Sequence, residues 1–191
     1  MKNIVLASNN YHKLKEIRHM LEPLGYNVLS LKDINYQGDI IEDGETFIDN
    51  ALIKAKEVRT KTKYPVIADD SGLSLDVLGG LPGVHSHRYA SENATDKDNR
   101  VKLISVLRDY NPPYNAHFTT AMVYIDDDRT IIKEGYVYGE IILEEKGNNG
   151  FGYDPIFFVK EYNKTMGELD EDIKNKISHR HNALEKLIKE L

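Results

Sequence analysis

Two long segments rich in β-forming residues place the strongest constraint on how this chain folds. Residues 118–125 and 130–143 alternate apolar and polar side chains, and Asp126, Asp127 and Asp128 lie between them. This pattern predicts a β-hairpin whose tip is the polar turn. A hairpin tip is polar for structural reasons alone, so we assign no function to this run of acids.

Helical patterns alternate with short apolar runs in the rest of the chain. Apolar residues recur at helical spacing in segments 14–24, 45–63, 96–110 and 183–191, whereas short strands are predicted at 2–7, 27–31, 66–68 and 156–159. This mixture predicts an α/β or α+β architecture, with helices flanking one extended sheet. The sequence contains no linker or repeat, so we expect residues 1–191 to form a single domain.

Composition excludes several classes of function. The chain has 25 Lys+Arg against 31 Asp+Glu, a net charge of −6, which argues against a general nucleic-acid or membrane-binding surface. It has no cysteine, which excludes disulfides, thiolate nucleophiles and cysteine-ligated metals, and its histidines lack zinc spacing. The apolar run at 4–7 is short for a signal peptide or a spanning helix, so we expect a cytoplasmic protein.

A polar segment joins the first predicted strand to the first predicted helix. Its residues are Ser8, Asn9, Asn10, Tyr11, His12 and Lys13. Backbone N–H groups at such a helix start attract phosphate, and the lysine adds positive charge. The segment fits equally well a helix capped by Asn10 with a solvated Lys13. The chain has no P-loop motif.

A pair of acids follows the apolar run at 66–68. Asp69 and Asp70 begin a predicted polar turn at 69–72, and adjacent residues at a strand end point to opposite faces. One of these carboxylates, with Glu42 or Asp43 as a partner, would suit Mg²⁺, which takes one or two protein carboxylates beside substrate phosphates. The alternative is an acid that only caps the turn before Gly72.

Two further segments carry groups suited to a nucleotide. In the glycine-rich segment 147–155, Phe151 could stack on a base and Asp154 could accept from its N–H groups, although a flexible loop tip is the alternative. Near the end of the chain, Lys174, His179 and Arg180 could hold an anion or a carbonyl oxygen. Alternatively, Ser178 caps the last helix and its two neighbours are solvated.

These motifs together resemble the Ham1-type non-canonical purine nucleoside triphosphate pyrophosphatases. They are S-N-N-x-x-K at 8–13, E-D-G-x-T-F-x-x-N-A at 42–51, A-D-D-S-G-L at 68–73, L-P-G-V at 81–84, N-G-F-G-Y-D-P at 149–155 and I-S-H-R at 177–180. The resemblance implies an elongated mixed sheet with flanking helices and two lobes around a central nucleotide-binding cleft. It also implies a homodimer and Mg²⁺-dependent hydrolysis of ITP, dITP and XTP to the monophosphate and pyrophosphate.

The resemblance assigns roles to individual residues. It implies that Asp70 activates water, that Glu42 and Asp70 bind the metal, and that residues 8–13 contact the triphosphate. It further implies that Ser71 contacts the substrate. Around the base and sugar it places Phe151, Gly152, Tyr153, Asp154 and Lys174, with His179 and Arg180 at the purine edge. One departure is Asn9, where many members have glycine.

Two other functions remain open at this point. A related pyrophosphatase could act on modified pyrimidine nucleotides with the same phosphate-binding residues and a different base pocket. A nucleotide-binding sensor without turnover is the other alternative. The retained pair of Glu42 and Asp70 favours an enzyme, because a sensor has no need of a water-activating acid.

Overall fold

The computed structural model describes residues 1–191 and shows an open mixed sheet of seven strands with flanking helices. The strands are β1 (Lys2–Leu6), β2 (Tyr26–Leu29), β3 (Val66–Leu75), β4 (Tyr114–Ile125), β5 (Thr130–Ile141), β6 (Phe157–Val159) and β7 (Lys164–Thr165). The helices are α1 (Tyr11–Leu21), α2 (Phe47–Arg59), α3 (Asp96–Leu107), α4 (Glu171–Ile177) and α5 (His179–Ile188). The predicted α/β fold class is confirmed.

The strands follow the order β2-β1-β3-β4-β5-β6-β7 across the sheet. β1 runs parallel to β2 and β3, whereas β6 is antiparallel to β5 and β7. β4 and β5 are neighbours joined by four residues, and Asp126 N donates to Arg129 O across this connection. The predicted hairpin and its acidic tip are therefore confirmed. No helix of the structure combines the length and hydropathy needed to cross a membrane.

The chain forms two compact units. The first comprises Met1–Asp70, Thr120–Gly135 and Arg180–Leu191, and the second comprises Ser71–Thr119 and Tyr136–His179.

In the first unit, both faces of the sheet are covered by helices. Ile4 and Leu6 of β1 pack with residues of α1 and α5, whereas Val5 and Ala7 pack with residues of α2. This alternation follows from the two-residue period of a strand. Because both faces are buried, the first strand is a continuous apolar run, as is typical of parallel strands.

In the second unit, one apolar core forms around α3 and the strands beside it. Leu103 and Leu107 of α3 are fully buried there, and Phe157 of β6 packs in the same core. Helix α3 begins with a capping box, in which Thr95 Oγ1 accepts from Asp98 N and Asp98 accepts from Thr95 N. This capping box stabilises the first turn of α3.

The polar turn predicted at 69–72 is wrong, because β3 continues through these residues to Leu75. The alternation of Leu73 and Leu75 was a sign of this continuity, and both residues are fully buried in the core of the second unit. Asp69 and Asp70 therefore lie within a strand, where their side chains point to opposite faces of the sheet. The two acids therefore have different neighbouring side chains.

Candidate active site

The segment that precedes α1 is organised by helix capping. Asn10 Oδ1 accepts from the N–H groups of His12 at 2.9 Å and Lys13 at 3.2 Å, and Ser8 Oγ accepts from Asn10 N at 3.1 Å. The alternative that Asn10 caps the helix is thus correct. Asn9, Tyr11 and His12 are exposed at the same helix start.

Lys13 is not a solvated helix residue. Its side chain is 15% exposed, and its ammonium lies 2.9 Å from Asp69 Oδ2, whose side chain has no exposed surface. Burial lowers the pKa of Lys13, although the attraction of Asp69 acts in the opposite direction. The lysine at this helix start is therefore paired with a carboxylate of β3.

Asp69 also binds Arg180, so that four charged groups form one network. Arg180 Nε lies 3.3 Å from Asp69 Oδ2, and Arg180 Nη1 lies 2.7 Å from Glu16 Oε2. Burial alone would raise the pKa of Asp69, but the charges of Lys13 and Arg180 outweigh it and hold this pKa well below its usual range. Lys13, Glu16, Asp69 and Arg180 carry two charges of each sign, so the network is neutral.

The alternative that Arg180 is solvated is wrong, since the residue is 2% exposed. Sequence reasoning missed Glu16, although Lys13 and Glu16 are three residues apart and so share one face of α1.

Asp70 lies on the opposite face of β3 and contacts side chains of α2. Asn50 Nδ2 donates to Asp70 Oδ2 at 3.1 Å, and Lys54 Nζ lies 3.6 Å from Asp70 Oδ1. Burial raises the pKa of Asp70, while the charge of Lys54 and the hydrogen bond from Asn50 act to lower it. A carboxyl group with a raised pKa is a better proton acceptor near neutral pH than an ordinary aspartate.

Glu42 joins this second group through Lys54. Lys54 Nζ lies 2.8 Å from Glu42 Oε2, so one ammonium bridges Glu42 and Asp70, while Asp43 is exposed. The structure thus brings together the two carboxylates that the sequence assigned to a metal.

Sequence reasoning missed Asn50 and Lys54 as site residues. Both are buried, with Lys54 at 7% exposure. Their spacing of four residues on one helix face was the available signal.

The donor set fits Mg²⁺. The Lys54 ammonium lies 2.8 Å from a Glu42 oxygen and 3.6 Å from an Asp70 oxygen, so the two carboxylates lie on either side of one cation. Carboxylate oxygens are hard ligands of the kind that Mg²⁺ prefers. The structure shows no group of three or more metal-binding side chains around one position. Two carboxylates match the one or two that Mg²⁺ commonly takes when phosphates supply other ligands.

The glycine-rich segment of the second unit is packed around Asp154. Asp154 Oδ2 accepts from Phe151 N at 2.9 Å and pairs with the Lys174 ammonium, which also lies 4.9 Å from the centroid of the Phe151 ring. A Cβ on Gly150 would lie 2.1 Å from Asp154 Oδ2, so this packing requires glycine at 150. The structure therefore brings together Phe151, Asp154 and Lys174, three residues that the resemblance assigned to the base and sugar.

Tyr153 and His179 have packing partners of their own in the second unit. Tyr153 is 4% exposed, and its hydroxyl donates to Ser86 O at 2.8 Å. The His179 ring stacks on Phe118 with 5.0 Å between centroids and 17° between planes. Ser178 is buried directly before His179, and Ser71 is partly exposed in β3.

Comparison with known proteins places this geometry in a family. Residues 4–190 match the model of the Ham1 family. The dITP/XTP pyrophosphatase of Bacillus subtilis (strain 168) is 49% identical over 191 residues, covering 99% of this chain and 96% of that protein. The dITP/XTP pyrophosphatase of Clostridium tetani is 46% identical over 194 residues, covering 100% and 96%.

Solved structures agree with these matches. A HAM1 protein from Coxiella burnetii superposes with a TM-score of 0.93 at 40% identity, covering 100% of both chains. The Ham1 protein of Staphylococcus aureus gives a TM-score of 0.90 at 39% identity, covering 97% of this chain and 96% of that one. With a matching family model, relatives of this identity and solved structures of the same fold, this chain belongs to the Ham1 family.

Proposed function

We propose that this protein hydrolyses the non-canonical purine nucleoside triphosphates dITP, ITP and XTP to the nucleoside monophosphate and pyrophosphate. The observation that carries the proposal is the setting of Asp70, a largely buried carboxylate of raised pKa that Asn50 orients and that lies beside Glu42 and Lys54. The relatives named dITP/XTP pyrophosphatase supply the substrate class.

Asp70 acts as the general base. Its carboxylate takes a proton from water as the water oxygen attacks the α-phosphorus, the bond from that phosphorus to the bridging oxygen breaks, and pyrophosphate leaves. The hydrogen bond from Asn50 fixes the direction of the carboxylate. Attack at the α-phosphorus follows from the family's pyrophosphatase activity, since phosphoryl transfer depends mainly on positioning and charge and no single residue type marks the position.

The charges of the first unit suit the triphosphate. Lys13 and Lys54 are cations already held by carboxylates, and the segment from Ser8 to Lys13 lies at the start of α1, where anions are favoured. Glu42 and Asp70 would hold Mg²⁺, which, when bound, offsets negative charge on the phosphates. Asn10 already engages two N–H groups of this helix start, so Lys13 is the principal phosphate ligand that α1 offers.

The residues around Phe151 and near the end of the chain suit the base and sugar. Phe151 offers an aromatic ring, and Lys174 with Asp154 offers a charged donor and an acceptor beside it. His179 and Arg180 supply donors for the purine edge, Ser71 contacts the substrate, and Gly152 and Tyr153 complete the segment that carries Phe151. Arg180 is held in place by Asp69 and Glu16.

The family resemblance also motivates two broader proposals. We propose that the protein acts as a homodimer and that it removes non-canonical nucleotides from the cytoplasmic nucleotide pool. Light scattering coupled to size-exclusion chromatography tests the dimer, because a molar mass near that of one 21.8 kDa chain would exclude it.

A nucleotide panel tests the activity. Each triphosphate is incubated with Mg²⁺, and orthophosphate is measured by malachite green with and without added inorganic pyrophosphatase. We expect a signal from dITP, ITP and XTP that depends on the added pyrophosphatase. Orthophosphate without that enzyme would contradict attack at the α-phosphorus. Turnover confined to modified pyrimidines would support the alternative substrate class, and binding without turnover would indicate a sensor.

A further inference from the structure

The backbone of Gly152 is held on both sides of the residue by side chains of α3. Asp96 Oδ2 accepts from Gly152 N at 2.8 Å, and Arg100 Nη1 donates to Gly152 O at 2.7 Å. Gly152 has a φ of +62°, in the left-handed region that favours glycine. Its flexible backbone is thus fixed by two contacts from a helix more than fifty residues away in sequence.

One of the two side chains that hold Gly152, that of Arg100, is itself held in place. Arg100 forms a two-pronged ion pair with Glu145, with Nε 3.0 Å from Oε1 and Nη2 3.2 Å from Oε2, and its side chain is 13% exposed. Asp96 and Arg100 are four residues apart and therefore share one face of α3.

Helix α3 is a firm support for these contacts. The capping box of Thr95 and Asp98 fixes its first turn. Buried Asn99 donates to His87 O at 2.9 Å and accepts from Ala90 N at 2.8 Å, which ties the helix to the segment before it.

Gly152 lies between the two aromatic residues of the segment, and each neighbour has an anchor of its own. Phe151 N donates to Asp154, and the Tyr153 hydroxyl donates to Ser86 O. With Gly152 held by α3, three consecutive residues are fixed, so the Phe151 ring is carried on a backbone of defined direction. An aromatic ring that stacks on a base binds best when its orientation is set in advance.

We propose that Asp96 and Arg100 are positioning residues for base recognition, which act through Gly152 on the ring of Phe151. This inference rests on the proposed function, because it takes Phe151 as the ring on which the base stacks. Neither residue takes part in the hydrolytic step, so both determine how tightly the nucleotide binds and not how fast it is cleaved.

Two measurements test the proposal. Isothermal titration calorimetry with dIMP gives the affinity for the base and sugar without hydrolysis, and steady-state kinetics with dITP separate KM from kcat. For Asp96→Ala and Arg100→Ala we expect dIMP binding to weaken and KM to rise by about tenfold, within the range of base–aromatic stacking, while kcat stays within about twofold. The variant Asp96→Asn keeps an oxygen that accepts from Gly152 N, so it should restore both quantities.

Asp98→Ala is the matched control. It removes an acid from the same first turn of α3 and breaks the capping box, yet Asp98 makes no contact with Gly152 in the structure. Thermal unfolding should show a stability loss at least as large as that of Asp96→Ala. Affinity and KM should change much less than in Asp96→Ala, because Asp98→Ala removes neither of the side chains that contact Gly152, and Asn99 still ties α3 to the preceding segment.

A double-mutant cycle with Phe151→Ala separates positioning from general stability. If Asp96 acts through this ring, Asp96→Ala adds little to the affinity loss already caused by Phe151→Ala. The proposal would be overturned if the affinity losses of Asp96→Ala and Phe151→Ala were fully additive. It would also be overturned if both Asp96→Ala and Arg100→Ala bound dIMP as tightly as the wild type, or if Asp98→Ala lost as much dIMP affinity as they do. If dIMP affinity depends on Asp96, Arg100 and Phe151 in this way but the wild-type protein does not hydrolyse dITP, the proposed function is wrong while the positioning role stands.

Discussion

At the scale of single residues, two adjacent aspartates have opposite properties because they point to opposite faces of β3. Asp69 is paired with Lys13 and Arg180, and its pKa is held well below the usual range even though burial acts to raise it. Asp70 is partly exposed among α2 side chains, and burial raises its pKa. The first carboxylate therefore stays ionised and holds cations, whereas the second is suited to accept a proton.

Asp70→Asn should remove nearly all turnover, by a factor of about 10³ or more, and leave the fold intact. The amide keeps the shape of the side chain but neither carries its charge nor accepts a proton. Pyrophosphate release measures the turnover, and circular dichroism with thermal unfolding measures the fold. Asp43→Asn is the control, because Asp43 is exposed in the same loop as Glu42 and should retain full activity. Near-normal turnover in Asp70→Asn would show that another group activates the water.

Asp69→Asn should lower the free energy of unfolding of the metal-free protein by about 3 kcal/mol at neutral pH. The substitution leaves Lys13 and Arg180 with Glu16 as the only acid of their network, and an uncompensated buried charge is costly. Denaturant titration measures the difference, with exposed Asp43→Asn as the control. A loss below about 0.5 kcal/mol would mean that the network contributes little to stability.

The stability loss caused by Asp69→Asn should depend on pH, and the direction of the Asp69 pKa shift sets the sign of this dependence. The pKa of Asp69 in the folded protein lies below its pKa in the unfolded chain. The stabilisation that the ionised Asp69 provides is therefore complete above about pH 4 and is lost as the pH falls below that value. The gap in unfolding free energy between wild type and Asp69→Asn should therefore narrow below about pH 4. A gap that widens in acid would contradict the assigned direction.

At the scale of secondary structure, α2 and α3 have comparable roles in their own units. Each begins with a Thr and Asp capping box, and each carries a pair of polar residues four positions apart that reach the functional groups. On α2 these are Asn50 and Lys54, and on α3 they are Asp96 and Arg100. The caps stabilise the first turn of each helix.

Thr46→Ala and Thr95→Ala should each lower the free energy of unfolding by about 1 kcal/mol, because each removes the acceptor for an N–H group at a helix start. Denaturant unfolding followed by circular dichroism measures both losses. Thr62→Ala, outside the helices, is a comparison in which no capping box is lost. If only one of the two capping variants loses stability, the equivalence of the two helix starts is wrong.

Helix and strand positions were predictable because apolar periodicity records which faces are buried. The hairpin of β4 and β5, the first strand and α2 all follow from that pattern. The pattern does not record which distant group pairs with a buried charge, so the buried Lys54 was not identified as a site residue. The contact of Asp96 with Gly152 joins residues 56 positions apart and leaves no local signal.

At the scale of the whole molecule, each unit carries its own group of candidate functional residues. The carboxylates and lysines suited to the triphosphate belong to the first unit, and the aromatic segment suited to the base belongs to the second. The motifs of both units were recognisable in the sequence, because six of them in this order resemble one family. How these residues assemble into buried networks was not predictable, because the assembly depends on the register and packing of β3.

Discrimination between bases should exceed what shape alone provides. Hypoxanthine and xanthine present a carbonyl at C6, whereas adenine presents an amino group there. The residues assigned to the base include the donors Lys174, His179 and Arg180, which pair with a carbonyl but not with an amino group. An unpaired buried polar group costs about 1–3 kcal/mol, and several together reach about 10⁴-fold in kcat/KM.

We therefore expect kcat/KM to fall in the order dITP or XTP, then dGTP, then dATP, measured as pyrophosphate release across the panel. Guanine shares the C6 carbonyl, so its 2-amino group must account for its weaker turnover. Arg180→Lys keeps a positive charge beside Asp69 but loses the planar fork of the guanidinium, so it should lower the efficiency with dITP more than that with dATP. If Arg180→Lys lowers kcat/KM by the same factor for both nucleotides, Arg180 holds Asp69 or the phosphates and does not recognise the base. If the wild-type protein has equal kcat/KM for dITP and dATP, the donor residues do not distinguish the group at C6.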